Sequence, residues 1–353
     1  MGRPSLILAA LAADAAPGKT FRSYRRVETN PDLDQLQLWD QEDHSYQLLI
    51  PATGAGEAEL AGELQAIDVI SDFVQDLEID SPELVGQTKD PDGTTAVLLT
   101  LIGGQTPDLA RFTPGEFSKS FAQAVASIHK LNPDIIREAG LPEYDADSVL
   151  KSKVAEIDRI AQTGRVPAQL LSRWEAATED LGLFRFHPTV VHGGLNQDTV
   201  MVTGQKITGI ASWSTLQISD PAEDLRWLTG GALRTTLEDT LIHYRALREN
   251  ADENIGQRAQ LYSELELGSW LAHCVEIQDE KAIAQAEDMI SELRDQLESG
   301  NLRSLRAASF AGINTVATAR QKPAASMEAA ETAEISQVAE AEAEDTKADE
   351  ELF

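Results

Sequence analysis

Residues 190–202 read VVHGGLNQDTVMV. Two valines lead into His192-Gly193-Gly194, a polar step follows through Asn196, Asp198 and Thr199, and a second apolar run closes the stretch. Short apolar runs divided by glycines and small polar residues predict a strand, a tight turn and a second strand. The polar step between them is expected to face a pocket. Within that step Gly194 has no side chain and Thr199 carries a neutral hydroxyl.

Upstream, the pattern from Phe21 to Thr100 is strand-rich. FRSYRRVET, LDQLQLWDQ and SYQLLIPA alternate or run apolar between turn signals such as Asn30-Pro31. Leu60, Leu64, Ile67, Ile70 and Val74 recur at helical spacing, which predicts one amphipathic helix. PELVGQTKD, a Pro91-Asp92-Gly93 turn and TTAVLLTLI then predict a hairpin. After Gly103-Gly104 helices are expected to dominate. Thr113 is expected to cap the first of them, and strands return only between Thr189 and Trp213. Leu261, Leu265, Trp270, Leu271 and Cys274 fall near one face of a later helix. The expected class is α+β, with a small β-rich lobe joined at a glycine-marked hinge to a larger, mainly helical lobe. The boundaries read as an N-terminal helix at 1–18, the small lobe at 19–102, the helical lobe at 103–320 and a tail at 321–353.

The 353 residues carry a formal net charge of −30 and a pI near 4.4. Nucleic-acid binding needs clustered cations to displace counterions from phosphates, so no nucleic-acid partner is expected. No apolar run reaches the roughly 18 residues of a membrane span, so no membrane partner is expected either. The first residues superficially mimic a signal peptide, yet the apolar stretch is short and Asp14 precedes the Ala-x-Ala-like site. They read as a helix ending at Pro17-Gly18. The single Cys274 excludes an intramolecular disulfide and fits a reducing cytoplasm, where it is expected as a buried small hydrophobe. From Lys322 onward ten acidic residues face two lysines, a composition expected to stay disordered.

Three short segments in register carry a family resemblance: HGGLNQDTV, ASW and SDPAEDL within residues 192–225. They resemble the H-G-D-L-x-x-x-N-V, I-D-W and G-D-P-x-x-D-L segments of the aminoglycoside and macrolide phosphotransferases, a branch of the protein-kinase-like fold. ASIHKL at 126–131 is similar to the family's L-A-x-L-H helix, and the likeness extends more weakly over residues 20–315. It implies a two-lobed protein-kinase-like fold. In phosphoryl transfer, the protein mainly positions groups and stabilises charge. An Asp orients the acceptor hydroxyl, an Asn and a second Asp hold magnesium, and a basic residue on a small-lobe strand contacts the phosphates.

The resemblance places those roles on residues that cannot perform them. Gly194 stands at the catalytic Asp, Thr199 at the metal-binding Asn and Ser212 at the second metal-binding Asp. Leu49, the fourth residue of YQLLIP, stands at the basic position of the strand. Asp198 and Asn196 are the candidates for compensation, although Asp198 is one residue off register and Asn196 is not a base. Glu59 and Glu63 could bind a cation, but without the basic partner each reads as a solvated face residue. His192, Trp213, Asp220 and Asp224 match the family and imply structural support, with Asp224 bracing the loop backbone. His129 and His273 read as core residues.

The function expected first is that of a catalytically inactive, pseudokinase-like binding or regulatory protein, with no cofactor and an unidentified protein or small-molecule partner. Two alternatives stay open. One is an active transferase that uses Mg-ATP on a small, cationic, hydroxylated acceptor, and the other is a non-catalytic small-molecule sensor.

Overall fold

A computed structural model describes residues 2–28, 30–73, 75–248 and 251–307. Helix α1 (Ser5–Ala15) precedes strands β1 (Phe21–Val27), β2 (Leu33–Asp40) and β3 (Ser45–Pro51), helix α2 (Gly54–Ser71), and strands β4 (Leu84–Lys89) and β5 (Thr95–Thr100). The five strands form one antiparallel sheet in the order β1-β2-β3-β5-β4. Successive side chains of a strand point to opposite faces, and both faces of β3 are covered. Tyr46, Leu48 and Ile50 pack under Leu8, Leu11 and Ala12 of α1. Leu49, with Val97 and Leu99 of β5, packs against Leu60, Leu64 and Ile67 of α2. This double coverage explains why QLLIP runs apolar rather than alternating. Thr53 caps α2 by accepting the Gly56 N–H at 3.2 Å. The helix closes at Ser71, and Val74, the last position of its expected stripe, lies outside the described residues.

The second lobe follows with α3 (Glu116–His129), α4 (Pro133–Glu138), α5 (Ala146–Gln162) and α6 (Ala168–Glu179). Four short strands come next: β6 (Thr189–Val191), β7 (Val200–Thr203), β8 (Lys206–Ile210) and β9 (Gln217–Ser219). They are followed by α7 (Arg226–Gly231), α8 (Arg234–Leu247), α9 (Ile255–Glu276) and α10 (Glu280–Glu298). β6 pairs with β9 and β7 with β8, so the strand region extends past the expected limit at Trp213 to Ser219. Where the first lobe meets the second, the backbones of Gln105 and Val202 exchange hydrogen bonds of 2.9 Å.

Three expectations need correction. Thr113 does not cap α3; the cap is Gly115, at φ +122°, whose N–H is held by Asp239 at 2.8 Å. A positive φ favours glycine, and the stabilising contact comes from α8, far along the chain. His273 is exposed, whereas His129 is buried. Trp270 lies off the buried stripe of α9 and is 36% exposed, while Leu261, Leu265, Leu271 and Cys274 are buried. The acidic tail lies outside the described residues.

Candidate functional site

The loop at 192–199 is shaped from beneath by one carboxylate. Asp224, fully buried, accepts the N–H of His192 at 2.9 Å and the N–H of Gly193 at 2.7 Å. Its Oδ2 also meets His129 Nε2 at 3.1 Å, and His129 Nδ1 pairs with the Tyr244 hydroxyl at 2.7 Å. Burial opposes ionisation of Asp224, but the His129 hydrogen bond and the backbone N–H groups outweigh it and hold its pKa below the usual carboxylate value. Gly193 sits at φ +78°, and a Cβ there would meet Gln217 Nε2 at 2.8 Å and the Thr215 carbonyl at 2.9 Å.

His192 lies directly under the loop, edge-on to Trp213 at 4.8 Å. Its Nδ1 accepts the Gly194 N–H at 3.2 Å and its Nε2 faces the Ala211 carbonyl at 3.1 Å. That pairing requires the neutral Nε2–H tautomer. Burial favours the same state by depressing the histidine pKa.

The polar step itself is occupied with its own backbone. Asn196 Oδ1 accepts the N–H of Asp198 at 2.7 Å and of Thr199 at 3.2 Å, and Nδ2 donates to the Gly194 carbonyl at 3.1 Å. Asn196 therefore folds its amide back onto the loop instead of presenting it to a pocket. The Thr199 hydroxyl, buried, accepts the Asn196 N–H at 2.9 Å and points at the carbonyls of Asn196 and Gly194. Asp198 is exposed on the outside of the turn. At half-buried Gly194 a side chain would crowd one group, the Thr215 hydroxyl, as the neighbours stand. A Cβ would lie 2.7 Å from Thr215 Oγ1, which itself donates to the His192 carbonyl at 2.8 Å.

The second turn follows β8. Ser212 is exposed and left-handed, at φ +62° and ψ +64°, and opens the 3-10 turn at 213–215. Glu63 of α2 reaches this turn from the small lobe, where its carboxylate accepts the backbone N–H groups of Trp213 and Ser214. It is only 6% exposed, which corrects the expectation of a solvated residue. Burial, with added repulsion from Glu59, pushes its pKa up to about 7 against those hydrogen bonds. Glu59 is half-buried and accepts the Asn30 amide at 3.0 Å through both oxygens. Leu49 lies in the apolar layer between β3 and α2.

Beneath these turns is a buried network that sequence reasoning did not find. Asp220 accepts Arg258 Nε at 2.5 Å and Nη2 at 2.9 Å, the Tyr262 hydroxyl at 2.6 Å and the Ala222 N–H at 2.9 Å. Arg258 also donates to Asp252 and to the Leu183 carbonyl. A signal existed: Arg258 shares the buried stripe of α9 with Leu261, Tyr262 and Leu265, where a charge requires a partner.

Two turns, an aspartate brace and a buried helix carboxylate lie at the meeting of a β lobe and a helical lobe, as the resemblance to the phosphotransferases implies. The sequence model of the phosphotransferase enzyme family matches residues 30–266. The chain belongs to that family. No curated protein matches the chain significantly by sequence. Among solved structures, the apoenzyme of macrolide 2'-phosphotransferase MphH from Brachybacterium faecium superposes with a TM-score of 0.67 at 17% identity, covering 80% of this chain and 97% of that one. The GDP complex of wild-type aminoglycoside 2'-phosphotransferase-IIIa gives 0.67 at 16% identity, covering 85% and 100%. The streptomycin-ATP complex of APH(2'')-IIa gives 0.59 at 14% identity, covering 83% and 97%. At such identities the likeness is one of fold, and the fold is the family's two-lobed kinase-like one.

Nucleotide and magnesium are the ligands that the resemblance implies, and the two positions it assigns to metal ligands carry no carboxylate or amide. Neutral Thr199 and Ser212 stand at the two positions that the resemblance assigns to metal ligands, and the Thr199 hydroxyl is held within the loop. Magnesium prefers carboxylate oxygens and phosphates. Among the described residues no three His, Cys, Asp or Glu side chains converge on a possible metal position. No described helix is long and apolar enough to cross a membrane.

Proposed function

We propose that this phosphotransferase-family protein does not transfer phosphate and acts instead as a cytoplasmic binding or regulatory pseudo-phosphotransferase. One observation carries the reading. The positions that the family resemblance assigns to chemistry hold groups that contribute to packing and loop shape. Leu49 is core, Thr199 is bonded within its own loop, and the space beside Gly194 belongs to Thr215. Glu63, lacking a basic partner on β3, is satisfied by the backbone of the second turn. Losing a positioned acid or base alone lowers a rate by roughly 10² to 10⁴.

Calorimetric titration with Mg-ATP and Mg-GTP, alongside a transfer assay over hydroxylated cationic acceptors, tests this. Neither binding nor transfer is expected. A nucleotide at 100 times its Kd would stabilise the fold by about 2.7 kcal/mol, readily seen as a thermal shift. Magnesium-dependent transfer that disappears in Asp198→Asn would overturn the proposal in favour of a rearranged active site.

A further inference from the structure

The helical lobe holds a second concavity, built from the end of α7, the start of α8, α9, α10 and residues 301–303, with a volume of about 610 Å³. That is within the range of small-molecule sites, roughly 300–1,000 Å³. None of its lining residues belongs to the loop at 192–199, so a ligand in it does not depend on whether the chain transfers phosphate.

Part of its lining is apolar. Leu267 and Trp270 of α9 and Met289 and Leu293 of α10 all line it. Trp270 is 36% exposed and Met289 49%, so part of each apolar side chain is open to solvent. Its charged end is formed by Arg234 and Arg303. The wall holds Arg303 by its backbone. Arg173 donates to the Arg303 carbonyl at 2.6 Å while its Nε and Nη2 grip buried Glu264 at 3.0 and 2.8 Å. The Arg303 guanidinium then lies over Gly256, where a Cβ would stand 3.3 Å from Nη1.

The Arg303 guanidinium is under-partnered. Among the described residues it makes no side-chain hydrogen bond, and its one ion pair, to Glu238, is 3.9 Å long. Glu238 is closer to Arg234, at 3.0 Å. Burial above all, with the nearby charges of Arg234 and Arg245, holds the Arg303 pKa below the usual arginine value against the opposing pull of Glu238. Of the acidic lining groups, Glu264 is taken by Arg173 and Glu266 faces Arg226 at 3.6 Å, which leaves Glu292 on α10.

We propose that this cavity binds an amphipathic anion, with a carboxylate or phosphate head on Arg303 and Arg234 and an apolar body over Trp270 and Met289. The head supplies the hydrogen bonds that Arg303 lacks, and the body covers the apolar part of the lining.

Calorimetry of the full chain with octanoate, octyl phosphate, octanol and octylammonium tests the site, with the Trp270 emission change, absent in Trp270→Phe, reporting location. One or both anions are expected to bind one-to-one, while the alcohol and the amine bind much more weakly. Which anion binds tighter identifies the head group. Arg303→Gln keeps the carbonyl that Arg173 holds, so the wall remains, and it should weaken anion binding about tenfold without changing the melting temperature. Arg234→Gln, on an exposed side chain, should weaken it less. Equal binding of the alcohol or amine, unchanged affinity in Arg303→Gln, or no binding of any probe would each overturn the proposal.

Discussion

The hydroxyl of Thr215 and the missing side chain of Gly194 compete for one volume: Oγ1 lies 2.7 Å from where a Cβ on Gly194 would stand. Gly194→Asp should therefore destabilise the fold, by about 1–3 kcal/mol as an overpacked site does. Thr215→Ala alone loses the bond to the His192 carbonyl, about 1 kcal/mol. The double variant should be less destabilised than the sum of the two. Urea denaturation of the four proteins measures this coupling. Strict additivity would mean that the two residues do not share the space.

Glu63 should impose a pH slope on stability. Its pKa rises from 4.5 to about 7 on folding, so the folded chain retains a proton that the unfolded chain has released. Its contribution is fully present below the unfolded value, falls as pH climbs from 4.5 to about 7 and is flat above that. The whole change is about 3 kcal/mol, and Glu63→Gln should remove it. Denaturation curves across that window, wild type against variant, give the difference directly. A parallel pair of curves would show that Glu63 ionises normally.

Leu49 should behave as a core residue. Leu49→Ala is expected to lower stability by about 2–5 kcal/mol, and Leu49→Lys by at least as much, because the ammonium enters an apolar layer. Chemical denaturation checks both. A stable Leu49→Lys variant would mean that Glu63 can leave the second turn to meet the new cation.

His192 should remain neutral, with its proton on Nε2, well below the pH at which free histidine titrates. The Gly194 N–H needs an unprotonated Nδ1, and burial acts in the same direction. Nitrogen-15 chemical shifts of the imidazole report both tautomer and charge. A protonated ring at pH 6 would contradict the geometry.

Ser212 offers the opposite case, a position under backbone strain. Its left-handed conformation suits Asn or Asp better than Ser and suits a β-branched residue least. Ser212→Asn should be neutral or slightly stabilising, whereas Ser212→Val should destabilise by about 1–2 kcal/mol. Melting temperatures of the two variants decide it.

The lobes were legible because their signals are local. β3 and β5 announce themselves by apolar runs, α2 by its stripe, and the turns at 192–199 and 212–225 by glycine, proline and acid at fixed spacing. Most of what escaped depends on distant partners. Gly115 caps α3 with help from Asp239 on α8, and Glu63 is buried against a turn far along the chain, whose backbone N–H groups favour its charged form. Periodicity counts a glutamate as a surface residue and has no means of seeing those donors. The Asn196 amide escaped for a different, local reason: residue type alone does not say whether it turns outward or back to its own loop.

Asp224 fixes the loop at 192–199 from below through the two N–H groups it accepts. A partner that reads the exposed edge at Asn196, Gln197 and Asp198 thus meets a surface whose conformational entropy was already lost on folding. Recognition there would be close to rigid-body, with little of the enthalpy–entropy offset that accompanies ordering of a flexible loop on contact.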